Sequence, residues 1–166
     1  MAILIIEGDI MFYIPFWIFF AVSIILAVVT ISIRKLQFID VQIMIMIIAV
    51  TMSCDMIFCK QLKLYHYVDM QLQYIGWYSF WANFIICPAF GLVFIKFIPS
   101  TLRKVALYIA TWTAVLTLFE LYIAKPYSIV HYPVWRIIPW STIGYILVLT
   151  WEYIYYKILK KTDINI

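Results

Sequence analysis

The sequence predicts an all-α membrane protein, a bundle of five transmembrane helices with its N-terminus outside and its C-terminus in the cytoplasm. Three observations carry that prediction. Of the 166 residues, 67% are hydrophobic and 12% are charged, where soluble domains average roughly 45–50% apolar and 25% charged. Five apolar stretches approach or exceed the roughly 20 residues that cross about 30 Å of hydrocarbon. The basic residues are shared unequally between the connections that alternate from side to side. A water-soluble fold of this size has too little interior for a chain of mean hydropathy +1.02, which excludes a soluble enzyme, a soluble nucleic-acid binder and a disordered chain.

The chain reads as one transmembrane domain, 1–166, with its spans in order along it. The first covers 11–33 and stops at Arg34-Lys35. The second covers 41–59 and stops at Lys60. The third covers 77–98, with Lys96 near its end and Pro99 after it. The fourth covers 105–124 and stops at Lys125-Pro126, and the fifth covers 137–156, followed by Lys157, Lys160 and Lys161. The N-terminal stretch has neither a basic region nor a small-residue cleavage site, so no removable signal peptide is expected.

Charge orients the bundle. Arg34, Lys35, Lys96, Arg103, Lys104, Lys157, Lys160 and Lys161 fall on one side, and Lys60, Lys63, Lys125 and Arg136 on the other. Basic residues in short loops stay in the cytoplasm, which puts the first set inside and leaves Glu7 and Asp9 outside. The net charge of +4 comes from scattered residues with no basic run beyond two, so no nucleic-acid footprint is expected.

The outer connections are rich in rings: Tyr65, Tyr67, Tyr74, Trp77 and Tyr78, then Tyr127, Tyr132, Trp135 and Trp140. Such side chains favour the headgroup layer, and most are expected to form an interfacial belt. Residues 62–74 alternate between apolar and polar, which fits a segment lying along the surface. No internal repeat or low-complexity stretch appears.

Polar residues inside the spans form stripes. Ala106, Ala110, Thr113, Thr117, Glu120 and Ala124 step by three and four along the fourth span; Gly76, Ser79, Asn83, Cys87 and Gly91 do so along the third. Ser141, Tyr145, Val148 and Glu152 follow in the fifth, and Thr51 and Asp55 in the second. Small and hydroxylated residues let helices approach closely, but an acid is costly in a span unless it is protonated, paired or wet. Asp55, Asn83, Glu120 and Ser141 all fall about 6–9 Å below the outer boundary at 1.5 Å per residue. Arg136 enters just above them. These five are expected to form one outer polar cluster, with Arg136 offsetting the two acids. Glu152, one turn before Lys157, is expected to reach the inner interface.

His66 and His131 lie in the two outer loops with Trp135, close enough to approach one another. No ligand spacing links them to the acids, so no metal and no cofactor is expected. Cys54 and Cys59, five apart on one helix, are too far apart to bridge, and the cysteines read as inert thiols.

From Asp55 onward the chain resembles a family of small, uncharacterised multi-helix integral membrane proteins of spore-forming Gram-positive bacteria. The residues that carry the likeness are Asp55 late in a helix, Tyr65-His66-Tyr67, Ile98-Pro99, Trp112, Glu120, the stretch 127–132 (Tyr-Ser-Ile-Val-His-Tyr), Trp135 and Ser141. The family often carries glycine where this chain has Val134. The resemblance implies a multi-pass protein of the bacterial cytoplasmic membrane and supplies no activity.

The functional expectation is a binding, sensing or accessory protein. Its partners are the lipid bilayer and a small hydrophobic ligand or another membrane protein. The alternative is a membrane enzyme acting on a lipid or isoprenoid through Asp55 and Glu120; a transport subunit ranks third. No phosphate-binding loop or nucleophile elbow is present, and no catalytic residue is named.

Overall fold

The computed structural model describes residues 14–67 and 76–163. Five helices in it are long and apolar enough to cross a membrane: α1 Ile14–Ile33, α2 Phe38–Gln61, α3 Trp77–Lys96, α4 Leu102–Ala124 and α5 Ile137–Thr162. Two short strands, β1 His66–Tyr67 and β2 Val130–His131, pair antiparallel and join the α2–α3 connection to the α4–α5 connection. This end of the bundle is the ribbon end. The opposite end, with the connections 34–37 and 97–101, is the turn end. Residues 11–13 of the first predicted span, Glu7 and Asp9, and residues 68–74 of the surface segment lie outside the described residues.

The helices outrun the apolar stretches that mark them. Helical backbone continues through charged turns because long side chains carry their charges away from the apolar body at the start of α4 and the end of α5, and Asp40 in the first turn of α2 is paired with Lys96. Thus α2 begins at Phe38, α4 at Leu102 and α5 ends at Thr162, while α3 stops at Lys96. In the last turns of α5, Lys157 lies 6.0 Å over the Tyr153 ring and Lys160 lies 5.8 Å over that of Tyr156. Both are i,i+4 pairs that also suit the negative end of the helix dipole.

The third helix is the centre. In its most apolar window 61% of residues are buried, against 11–22% in the other helices. Gly76, Ser79, Ala82, Ala89 and Gly91 are all buried there, and small residues are what allow neighbouring backbones close. Helices α1, α2 and α5 pack directly on α3, and α4 packs on α5. Helix α4 reaches its other neighbours through rings: Phe119 stacks on Phe19 of α1 at 4.2 Å and Tyr108 on Phe94 of α3 at 5.2 Å. The Tyr108 hydroxyl also donates to the Phe94 carbonyl at 3.1 Å, one of the carbonyls a helix end leaves without an internal partner. The predicted stripe of α4 therefore divides. Thr113, Thr117 and Ala124 are buried, but Ala106 and Ala110 are exposed, because Tyr108 and Trp112 make the contact with α3 instead.

The turn end is closed by charge. Asp40 accepts the Gln37 N–H at 2.6 Å, capping α2, and pairs with Lys96 at the end of α3. Lys96 also donates to the Lys35 carbonyl at 2.8 Å. Both side chains are at least nine-tenths buried, so the turn between α1 and α2 is fastened to the end of the central helix. In α3, Pro88 follows a wide turn in which the Cys87 N–H reaches back to the Ala82 carbonyl. The wider turn relieves the clash between a mid-helix proline ring and the carbonyl one turn earlier.

Gly91 marks a close approach of α3 to its neighbours. A Cβ there would run into Cδ1 of Ile47 and lie 3.7 Å from Glu152 Oε2. Gly91→Ala is expected to lower stability by about 1–3 kcal/mol, the usual cost of overpacking. Adding Ile47→Val, which removes that Cδ1, is expected to restore much of the loss. Thermal unfolding of the single and double variants in detergent measures both effects; an unaltered melting temperature for Gly91→Ala would show that the helices are not packed this closely.

Candidate functional site

Each of the four residues predicted to form the outer cluster from within the spans falls in a widened helical turn. Asp55 opens the segment Asp55–Gln61, where the Leu62 N–H reaches the Ile57 carbonyl at 2.9 Å. Asn83 lies in Ala82–Ile86, and Glu120 opens Glu120–Ala124, where the Lys125 N–H bonds the Glu120 carbonyl at 2.9 Å. Ser141 closes Ile137–Ser141, an irregular entry to α5 with extended backbone at Ile138. Turns of this i→i+5 kind are uncommon and recur at functional positions.

Asp55 is the best-bonded side chain of the group. The Tyr65 hydroxyl donates to Oδ1 at 2.7 Å, while Ser79 Oγ and Asn83 Nδ2 donate to Oδ2 at 2.6 and 2.7 Å. The Cys59 thiol lies 3.9 Å from Oδ1. All three donors are uncharged groups, two from α3 and one from the chain after α2.

Glu120 is bonded on one side only. The Tyr132 hydroxyl donates to Oε1 at 2.9 Å, and Oε2 is buried without a hydrogen bond among the described residues. Ser141 and Tyr145 stand next to this carboxylate. Ser141 Oγ already accepts the Trp135 indole N–H at 2.8 Å, which leaves its own proton free to turn toward Glu120. Asp55 and Glu120 thus occupy separate hydrogen-bond sets, bridged by the Tyr65 and Tyr132 rings at 6.4 Å.

The ribbon lies over both sets. His66 is the register partner of His131, with the rings stacked at 5.2 Å, and the Trp135 N–H bonds the Leu64 carbonyl at 3.0 Å. The strands follow left-handed residues, Lys63 (φ 51°) and Ser128 (φ 54°), a conformation that commonly terminates helices and reverses the chain. Tyr65 and Tyr132 flank the histidine pair and reach the two carboxylates. Burial, then the adjoining carboxylate, pushes both phenols well above their ordinary range, so both remain donors. Burial, then His131, pushes His66 below the ordinary imidazole value.

Three expectations need correction. Arg136 does not join the acids: its side chain is exposed, and the ion pair found among the described residues is Asp40–Lys96. It precedes α5 on extended backbone, free to stay hydrated, while neutral hydroxyls serve the carboxylates without desolvating a guanidinium. Glu152 does not reach an interface. It is 4% exposed with Oε2 unbonded, because α5 continues ten residues past it to Thr162, about 15 Å of helix. Tyr78 belongs to no belt; it is buried with its ring 4.5 Å from that of Phe16.

Among the other candidates, Trp135 packs against Phe58 at 5.6 Å and Tyr65 at 6.0 Å. No group of three or more potential metal ligands occurs among the described residues, and all three cysteines are free. Sequence reasoning missed Tyr65 and Tyr132 as acid partners by assigning them to the interface. The signal was there: Tyr65-His66 and His131-Tyr132 are mirror images, so antiparallel pairing of the histidines brings the tyrosines together.

Arg136→Ala is expected to change stability by no more than about 0.5 kcal/mol, as for an ordinary surface position, and to match Lys125→Ala. Asp55→Ala, which strands three buried donors, is expected to cost about 3 kcal/mol or more. Thermal unfolding in detergent separates the two; an Arg136→Ala effect as large as that of Asp55→Ala would return the guanidinium to the cluster.

Comparison of the chain with family models, with curated proteins and with solved structures finds no match.

Proposed function

We propose that the protein is a multi-pass protein of the bacterial cytoplasmic membrane with a binding, sensing or accessory role, its ribbon end facing outward and its Lys-rich C-terminal tail in the cytoplasm. Large apolar side chains exposed on every face, among them Ile18, Ile25, Leu107, Leu147 and Ile158, support immersion in lipid. The turn end and the end of α5 hold eight of the twelve basic residues, which supports this orientation. The resemblance to small membrane proteins of spore-forming bacteria supports the bacterial setting.

One observation carries the non-catalytic reading. The lone pairs of Asp55 are taken by Tyr65, Ser79 and Asn83, and Glu120 stands in a different set. A general acid or base needs an oxygen within hydrogen-bond reach of the substrate proton it transfers, and both oxygens of Asp55 already hold protein donors. Glu120 Oε2, buried and unbonded beside Ser141, Tyr145 and Tyr132, is the position at which a small, largely apolar ligand or a partner helix carrying a hydrogen-bond donor would engage. A transport subunit is the second reading. It is favoured by Glu152, whose unbonded carboxyl oxygen lies deep in the bundle against Gly91.

Reporter fusions after Lys161 are expected to be active only in their cytoplasmic form; activity of an exported reporter there would reverse the orientation. Mass spectrometry of molecules released from the purified protein is expected to show a bound species that is depleted in Glu120→Gln. A chemically converted product accumulating on incubation would overturn the non-catalytic reading.

A further inference from the structure

Two neutral phenols close the ribbon end over two carboxylates, and the strands that carry those phenols are held together beside a pair of histidines. His66 and His131 are direct register partners with rings stacked at 5.2 Å and 24° between planes. His131 is exposed and His66 half-buried, so protons reach the pair from solution. Like charges directly opposite one another across a two-stranded ribbon are destabilising, and a ribbon this short has little other pairing to resist them.

Among the described residues the charged groups around the ribbon, apart from Asp55 and Glu120, are cations: Lys63 after α2, Lys60 in the last turn of α2, Lys125 after α4 and Arg136 at the start of α5; Asp69, in the same segment as Lys63, lies outside the described residues. No charged residue occurs at the start of α3 within 77–86. Asp55 and Glu120 lie beneath, occupied by the Tyr65 and Tyr132 hydroxyls. What acts on His66 is burial first and then His131.

We propose that the His66–His131 pair is a pH-operated latch: acidification adds positive charge to the stacked pair, parts β1 from β2, and lifts Tyr65 and Tyr132 off Asp55 and Glu120. This rests on the ribbon end being the outward, ligand-engaging face, and it names the condition that exposes the site. The sign follows from the depressed His66. A group held below its ordinary value stabilises the closed form above that value, about 6.5 for imidazole, and loses that contribution as pH falls. The latch is shut at neutral pH and opens in mild acid.

Hydrogen exchange of the full chain in lipid nanodiscs at pH 7.5 and 5.5, corrected for the intrinsic pH dependence, tests this. In the wild type the Tyr67 and Trp135 amides are expected to open several-fold more at pH 5.5, up to about tenfold, the ceiling for one coupled proton with an ordinary value near 6.5. In His66→Gln with His131→Gln the two pH values are expected to agree; in His131→Gln, where burial still acts on His66, the difference is expected to shrink without vanishing. Wild-type exchange that ignores pH, or a double variant that opens as far as the wild type, would overturn the latch. Because the wild-type comparison needs no substitution, a poorly folding variant leaves the test intact. A bound species retained at neutral pH without any acid opening would remove the latch and keep the binding role; acid opening with no species depleted in Glu120→Gln would do the reverse.

Discussion

The Asp55 carboxylate is the junction on which the ribbon end depends. It sits where α2 widens, and it receives one donor from the chain beyond α2 and two from the central helix. A hydrogen bond contributes about 0.5–1.5 kcal/mol when formed, and stranding a buried partner costs about 1–3 kcal/mol. Tyr65 therefore fixes the start of β1, β1 fixes β2 through the His66–His131 register, and β2 brings Tyr132 to Glu120. A single acid thus ties two connections that are far apart in sequence to the centre of the bundle.

The two ends solve the same problem differently. At the turn end a buried acid meets a buried lysine, and the pair also caps α2 and holds the Lys35 carbonyl. Such a pair fixes helix order more than it adds stability, since desolvation offsets much of the attraction. At the ribbon end the acids are met by hydroxyls and an amide, which are cheaper to bury and can turn away without stranding a cation. Opening the turn end would strand a buried lysine, whereas opening the ribbon end would not. The widened turns at Asp55, Asn83, Glu120 and Ser141 match that division, since all of them lie in the half of the bundle nearer the ribbon.

Much of the architecture was legible because apolar length sets where a helix can run, and the five spans need little else. Their ends were less legible. Asp40 reads as a loop residue until its position three after Gln37 is recognised as a helix start and Lys96 is seen to end on the same side. Apolar length ends at Tyr156 and so points Glu152 toward an interface, although helix continues through the lysines. Of the site, Asp55, Asn83, Glu120 and Ser141 were visible as polar residues at one depth. Arg136 was misjudged because a cation near two acids in sequence is not thereby inside with them. Tyr65 and Tyr132 were hidden by a general rule, the preference of aromatic rings for the interface, that holds for exposed Trp77 and Trp140 and fails where a ring has a buried acid to serve.

The measurement that bears most directly on this account is hydrogen exchange at the ribbon of Tyr65→Phe, which deletes one hydroxyl and leaves the ring in place. If Asp55 positions the ribbon, the Trp135 amide that bonds the Leu64 carbonyl will exchange about tenfold faster at neutral pH, equivalent to the roughly 1.4 kcal/mol of one lost hydrogen bond. The amides around Asp40 at the turn end will keep their wild-type rates. Unchanged exchange at Trp135 would mean that the ribbon holds its place without Asp55, and would contradict the account.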